Sequence, residues 1–589
     1  MLRDQIKKDL VAALQQLTTD QIEVSRTSDP KFGDYSTNIA LRTRSGLRLR
    51  GRLDSRRSST KTKQTPMEFA KELANSLKDL PYVEKLEVAP PGFINFFIKK
   101  EFLLDEITNI LNNDLLSFSA RQMAGRESTA KKILVEFAHP NTHKLFHIGH
   151  LRNITTGESI ARLLEAVGNK VIRANYQGDV GLHIAKALWG IKNLGEETSK
   201  SLDAKIEFLS KAYVLGNKAY EEGQKEEIDQ INKKIYEKDS EWLELWKESR
   251  GWSLEYFDRI YKRVGTKFDR LYFESEVAET GKDEVIKFLD KGIFQKSEGA
   301  IIFPGEKFGL HNRVFINSAG FPTYEGKDVG LARLQISEHH PDLIAHVVAP
   351  EQSDYFKVLF CALEQIYPET IGKEKHVVYG WVKLKEGKMS SRKGEVITGE
   401  WLLEEAKKKA LEVLTSGDIK KENVDREDVS EQVSIGAVKY AFLKMSTAQD
   451  LVFDIAEAIN LNGNSGPYLQ YTYARCISVL RNNEATRQRS NETTKIPAFE
   501  SLESEEDALL RSLFHFEEVI WDAANKYSPN LVANFLYEVA QKYNALYNNL
   551  SILKAEDKEK ERRLFLTNAT AEILKKGLYL LGISAPEKM

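Results

Sequence analysis

The period of apolar and polar positions changes along this chain, and each change marks a different kind of structure. From Met1 to Leu17 the apolar residues recur at helical spacing, with Ile6, Leu10, Ala13 and Leu17 on one stripe. A second helix is predicted at 66–78. Two short apolar runs follow, Tyr82 to Val88 and Phe93 to Ile98, separated by Pro90-Pro91-Gly92. They read as a hairpin or as adjacent strands. From about Ala130 the pattern alternates between strand and helix. Lys132 to Phe137 (KILVEF) is a strand. Gly149 to Val167 is a helix carrying Ile160, Leu163, Leu164 and Val167 on one face, with Gly168-Asn169 as its stop. Lys170 to Tyr176 is the next strand, which completes a parallel βαβ unit. Leu343 to Val348 and His376 to Val382 are further strand candidates. Charged, helical sequence containing Trp242, Trp246 and Trp252 interrupts the alternation from about 192 to 272. After about Gly399 no convincing strand occurs, so 400–589 reads as an all-α bundle. There is no internal repeat.

Composition narrows the class. The chain has 589 residues, 41% hydrophobic and 29% charged, which fits several globular domains and excludes wholesale disorder. No apolar run approaches the ~18 residues of a membrane span. The N-terminus has no secretory apolar region, and Asp4 and Asp9 argue against a mitochondrial transit peptide, so the expected location is cytoplasmic. Two cysteines, Cys361 and Cys476, exclude a disulfide framework and a cysteine-based zinc cluster. The net charge of −2 excludes a wholly basic surface but not local phosphate contacts. One stretch stands apart. Arg42, Arg44, Arg48, Arg50, Arg52, Arg56 and Arg57 crowd together without a lysine. It is either an RNA-contacting arm or a disordered insertion or local frame error. The absence of apolar periodicity favours the second.

Two short motifs carry candidate chemistry. His147-Ile148-Gly149-His150 opens a helix just after an apolar strand. Free N–H groups and the macrodipole at such a helix start attract anions, and Gly149 allows close approach of a ligand. Two imidazoles there suit nucleotide phosphates and charge developing in phosphoryl or adenylyl transfer. Alone, the histidines also suit simple helix caps. Lys388-Met389-Ser390-Ser391, followed by Arg392-Lys393-Gly394, has the composition of a phosphate-gripping loop or of an ordinary exposed basic loop.

In this order, the two motifs form the signature pair of class I aminoacyl-tRNA synthetases, and the chain resembles arginyl-tRNA synthetases in particular. Further stretches carry the resemblance: Val135-Glu136-Phe137 to Pro140-Asn141; Asn175-Tyr176-Gln177-Gly178-Asp179; Pro322-Thr323-Tyr324 to Lys327-Asp328; Gly466-Pro467-Tyr468-Leu469-Gln470-Tyr471; Phe32-Gly33-Asp34-Tyr35-Ser36; and Leu580-Leu581-Gly582 near terminal Met589. The resemblance covers nearly the full chain. It implies an N-terminal α+β domain over 1–115 that contacts the tRNA elbow. It implies a Rossmann-like catalytic domain with a parallel sheet over 130–398, and a helical anticodon-binding domain over 400–589. It implies ATP-dependent ligation of L-arginine to tRNA(Arg) through arginyl-adenylate, with Mg2+ accompanying ATP, no zinc, no membrane partner and a monomeric chain.

The resemblance also distributes roles. ATP falls to His147, Gly149, His150, Lys388, Met389, Ser390 and Ser391. Arginine falls to Glu136, Asn141, Tyr324, Asp328 and Gln352, and anticodon contact to Tyr468, Tyr547 and Met589. A guanidinium has five donors and needs carboxylate acceptors, which Glu136 and Asp328 supply. Read from the residues alone, Glu136 also suits a strand end paired with a surface lysine, and Asp328 a helix cap. Ser391 stands where class I enzymes usually carry lysine. In the family a lysine just before the first motif takes its part, here Lys144, with Lys388 and Lys393 contributing. Two other classes stay open: a free-standing nucleotidyltransferase, disfavoured by the long helical C-terminal region, and a non-catalytic RNA-binding relative, disfavoured by intact His147, His150, Glu136 and Asp328.

Overall fold

The computed structural model describes residues 1–14, 21–27, 29–42, 65–112, 130–195, 201–385, 397–416, 425–483, 497, 499 and 501–589. The chain divides into two compact units. One contains Met1–Arg126, Thr472–Ile520 and Phe535–Lys575; the other contains Glu127–Tyr471, Trp521–Asn534 and Lys576–Met589. Past Arg42, the arginine-rich stretch lies outside the described residues.

In the first unit, strands Ser25–Arg26 (β1), Tyr35–Thr37 (β2), Val83–Ala89 (β3) and Phe93–Ile98 (β4) form an antiparallel sheet in the order β1-β2-β4-β3. The predicted hairpin is β3–β4, with Val88 opposite Ile94. The first helix, Leu2–Leu14, buries Ile6, Leu10 and Leu14, while Leu17 falls outside the described residues. The helix Pro66–Leu77 starts where its sequence dictates. The Thr65 side chain accepts from the Glu68 N–H, the Glu68 carboxylate accepts from the Thr65 N–H, and Pro66 fills the first turn without wasting a donor. A polar seam joins this sheet to helices from the far end of the chain. Tyr35 Oη donates to Glu518 (2.9 Å), Arg3 pairs with Glu518 (2.7 Å), and Arg511 pairs with Asp34 (2.7 Å).

The second unit is built on a parallel sheet in the order β12-β11-β5-β6-β7. Its strands are Lys132–Glu136 (β5), Lys170–Gln177 (β6), Arg270–Phe273 (β7), Leu343–Val348 (β11) and Glu374–Val378 (β12). The predicted βαβ unit is β5, the helix Ile148–Ala166 and β6. From β5 the chain moves outward through β6 to β7. It later returns on the other side of β5 to lay down β11 and β12. The order therefore reverses between β5 and β11, which opens a crevice at the strands' C-terminal ends. A small antiparallel sheet, Gln295–Ser297 (β8), Ala300–Phe303 (β9) and Arg313–Ile316 (β10), lies in chain order between β7 and β11. Between β6 and β7 run the helices Leu182–Leu194, Leu202–Glu221, Lys225–Tyr236 and Ser240–Arg263, which bury Trp242 and Trp246.

Two readings of strands change. The run His376 to Val382 is not one strand. β12 ends at Val378, and Val382–Leu384 (β13) joins a separate parallel pair with Leu451–Phe453 (β14). Between them Gly380 passes so close to Gln449 that an added Cβ would lie 2.3 Å from that residue's backbone. β14 itself lies in the region read as wholly helical. Its three residues alternate, with Leu451 and Phe453 buried and Val452 60% exposed, too short a run for a period of two to show.

Candidate active site at the ends of the parallel strands

The segment leaving β5 is strained. Ala138 (φ 81°), His139 (φ 48°) and His143 (φ 62°) all occupy the left-handed region that side chains disfavour. Side chains hold them there. Asn153 Oδ1 accepts from the Ala138 N–H (2.6 Å), Asn175 Oδ1 from the His139 N–H (3.1 Å) and Ser253 Oγ from the His143 N–H (2.9 Å). Strain held by three separate elements marks a segment whose shape is needed. The following helix approaches closely: a Cβ added at Gly157 would lie 2.3 Å from the Phe137 ring.

His147 is the cap of the helix Ile148–Ala166. Its Nδ1 accepts from the N–H groups of Gly149 (3.1 Å) and His150 (3.3 Å), and His150 Nδ1 accepts from the His147 N–H (3.2 Å). The Ile148 N–H donates to the Ile397 carbonyl (3.0 Å), and Gly399 N–H to the Phe146 carbonyl (2.8 Å). These first-turn N–H groups therefore already have partners, so the anion attraction expected from free N–H groups falls to the imidazoles instead. The rings stack, centroids 3.6 Å apart and planes 18° from parallel. Burial, with Lys144 nearby, lowers the pKa of His147. Burial, with His147, His139 and Lys144 nearby, holds His150 well below the usual imidazole range. Both rings are neutral, and with Nδ1 accepting, each carries its proton on Nε2 as a donor. Half-buried Lys144 sets its ammonium 5.1 Å from the Tyr213 ring centre.

The acids stand at the crevice. Glu136 ends β5 and is 3% exposed. Its partners are internal rather than a surface lysine. His346 Nδ1 of β11 lies 3.2 Å from Oε1, and Gln335 Nε2 donates to Oε2 at 2.5 Å. Burial alone would raise its pKa, but His346 holds it below the usual carboxylate range. Asp328 is the fifth residue of the helix Tyr324–His339, whose cap position is Thr323, so it is not a helix cap. Burial pushes its carboxyl up to about 8, against a hydrogen bond from Tyr355 Oη and with Glu136 adding repulsion. Tyr176 Oη is buried without a hydrogen-bond partner among the described residues, within the field of Asp328, Glu274 and Glu136.

The remaining arginine-site candidates sit after β5, at the start of the helix Tyr324–His339 and after β11. Asn141 Oδ1 would lie 2.1 Å from a Cβ added at Gly178, with Glu274 Oε1 3.5 Å from that same position. Glu274 pairs with Lys327 (2.6 Å), whose ammonium lies 5.2 Å from the Tyr324 ring centre. Tyr324 is 61% exposed, and half-buried Gln352 ends the short turn Pro350–Gln352 just before the helix Ser353–Ile366. Lys388, Met389, Ser390, Ser391 and Lys393 lie outside the described residues. Of the anticodon candidates, Tyr468 is half-buried and Met589 is buried in the second unit. Tyr547, in the first unit, is 40% exposed with the Arg475 guanidinium 4.8 Å from its ring centre.

Sequence reasoning missed His346, Gln335, Tyr355, Glu274 and Lys327. One signal was available. His346 interrupts the apolar strand LIAHVV as Glu136 interrupts KILVEF, and two opposite polar intruders in strands of one sheet predict each other.

Comparison with known proteins places three families on the chain. The family described as tRNA synthetases class I (R), catalytic domain, matches residues 106–455. The DALR anticodon binding domain matches 469–589, and the arginyl tRNA synthetase N terminal domain matches 1–98. Similar curated proteins include the arginine–tRNA ligase of Porphyromonas gingivalis, 32% identical over 86% of this chain and 88% of its own. Another is that of Bacteroides thetaiotaomicron, 32% identical over 90% and 92%. Among solved structures, the arginyl-tRNA synthetases of Thermus thermophilus (TM-score 0.80, 24% identity, 100% of both chains) and Plasmodium falciparum (TM-score 0.80, 21% identity, 100% and 99%) share the fold.

Proposed function

The chain belongs to the arginyl-tRNA synthetase family and catalyses the ATP-dependent attachment of arginine to tRNA, and from that premise we propose how its residues divide the two steps. The observation that carries the assignment is that two buried carboxylates, Glu136 at the end of β5 and Asp328, act on one another, while Glu136 acts on His139 and His139 on His150 of the stacked pair.

Arginine enters with its guanidinium toward Glu136 and Asp328. Tyr324 and Gln352 complete the side-chain pocket, and Asn141 faces the amino-acid end. The arginine carboxylate then attacks the α-phosphorus of ATP, which arrives with Mg2+ as part of the substrate. An oxygen–phosphorus bond forms, the bond to the β-phosphate oxygen breaks, and diphosphate leaves. Negative charge gathers on the phosphoryl oxygens as phosphorus becomes five-coordinate. The Nε2–H groups of His147 and His150 donate to that charge from a preset position, and Lys144 supplies the full positive charge on the diphosphate side, with Lys388 and Lys393 contributing. No enzyme nucleophile is required. In the second step the 2′-hydroxyl of the terminal tRNA adenosine attacks the arginyl carbonyl, and AMP leaves.

Residues 130–398 hold the chemistry, 1–115 meets the tRNA elbow, and 400–589 reads the anticodon through Tyr468, Tyr547 and Met589. Stacking on an exposed tyrosine already flanked by an arginine suits an unpaired base. The proposed working unit is the monomer, in the cytoplasm where tRNA and ATP meet. Charging total tRNA with ATP and each of the twenty amino acids in turn tests the reading. Arginine alone is the expected substrate, and charging with any other amino acid instead would overturn it.

A further inference from the structure

One buried basic group at the arginine subsite has no role yet. His346 lies between two carboxylates: Nδ1 is 3.2 Å from Glu136 Oε1 and Nε2 is 2.8 Å from Glu374 Oε2. The side chains of all three are less than a tenth exposed. Parallel register puts His346 opposite Glu136 on one side and His376 on the other, so these side chains share one face of the sheet with Glu374, two residues before His376. Phe356 and Phe360 pack on the ring, with centroids 5.2 and 5.5 Å away. The other titratable groups that feel it are Asp328, His139 and His376.

A neutral imidazole donates from one nitrogen only, whereas two buried carboxylates within bonding distance of both nitrogens call for donors on both. The ring is an imidazolium. Burial works against that charge, yet Glu136 and Glu374 together raise its pKa to about 10. The charge count is informative. Glu136 and His346 alone would be neutral and would offer a cation nothing. Glu374 restores a net charge of minus one before substrate arrives, which attracts a guanidinium. Each Glu136 oxygen accepts one bond from the protein and keeps a second acceptor position, so the carboxylate can still bind two guanidinium N–H groups.

We propose that His346 is a positioning residue of the arginine subsite: held from behind by Glu374, it keeps Glu136 ionised and aimed at the substrate guanidinium. This rests on the assignment of Glu136 to arginine made above. Without its imidazolium, a carboxylate buried in an apolar strand takes up a proton and turns freely, and loses most of its attraction for a cation. Glu374 also lines a cavity of about 470 Å3 with Arg333, His340 and Lys373, so the outer end of the chain of three lies beside open space while the inner end faces the crevice.

The test is steady-state charging by the full-length enzyme, with KM for arginine and for ATP and the pH profile of kcat/KM for arginine. The variants are Glu136→Gln, His346→Gln and Glu374→Gln. His346→Gln is expected to raise the arginine KM about tenfold with the ATP KM unchanged. It should also shift the acid limb of the profile toward higher pH, because the imidazolium lowers both Glu136 and Asp328, which a merely structural role would not do. Glu374→Gln moves both in the same direction by less, and being on the edge strand it serves if His346→Gln does not fold. Glu136→Gln with His346→Gln is no worse than Glu136→Gln alone. The proposal is overturned if Glu136→Gln raises the arginine KM while His346→Gln and Glu374→Gln leave it and the acid limb in place. It is equally overturned if they raise both KM values alike. An unchanged arginine KM in Glu136→Gln would instead remove Glu136 from the subsite, and the assignment beneath the proposal with it.

Discussion

The Tyr355 hydroxyl donates to Asp328 Oδ2 across 2.5 Å, yet this bond does not keep Asp328 ionised. Its carboxyl, pushed up to about 8 by burial and by Glu136, is protonated at neutral pH before arginine arrives. A bound guanidinium favours the charged form. Arginine binding therefore releases a proton, and arginine affinity rises with pH until about 8 and then levels. Calorimetric titration at pH 7 in buffers of different ionisation enthalpy should show nearly one proton released. Buffer-independent heats would remove Asp328 from contact with the guanidinium.

In the proposed mechanism Lys144 carries the charge that Ser391 does not. Lys144→Ala is expected to slow diphosphate exchange, assayed with tRNA present, by about a hundredfold while the arginine KM stays within about twofold. Exchange at the parent rate would refute the assignment.

The stacked histidines act as a unit, because each ring caps the other's backbone. His147→Ala and His150→Ala should each lower the exchange rate about a hundredfold, and the double variant should lose much less than the product of the two. Fully multiplicative losses would show two independent donors. His147→Ala should additionally destabilise the helix by about 1 kcal/mol through the lost cap, readable as a lower Tm.

Gly178 has no room for a side chain beside Asn141 Oδ1. Gly178→Ala displaces that amide and should raise the arginine KM about tenfold with little change in the ATP KM. An unaltered arginine KM would take Asn141 out of the subsite.

What was legible in the sequence follows from its physics. β5, the helix Ile148–Ala166 and β6 carry long, strong periodic signals, and each formed close to its expected bounds. Thr65, Pro66 and Glu68 wrote the start of their helix in three residues. The acid in KILVEF announced that it needed a partner, but the identity of that partner depended on which strand lies next to β5. Strand order is a long-range property: β11 begins more than two hundred residues later, and nothing local to Glu136 names His346. The same holds for Tyr355 beside Asp328 and for Lys327 with Glu274. β13 and β14 escaped because three residues cannot establish a period. The helix start was found, and so was the cap reading of its histidines; what the sequence did not show is that their Nδ1 atoms take first-turn N–H groups expected to be free.

The bond from the Ile148 N–H to the Ile397 carbonyl ties the first motif to a residue three positions beyond the second. Its two ends are made far apart in time during synthesis. When the ribosome has made the first motif, the histidines can stack and cap, but one donor of that turn has no acceptor yet. Its acceptor emerges only after the whole parallel sheet has been translated. A nascent chain or fragment that stops short of residue 397 carries both imidazoles in its sequence without the full anchorage that aims them.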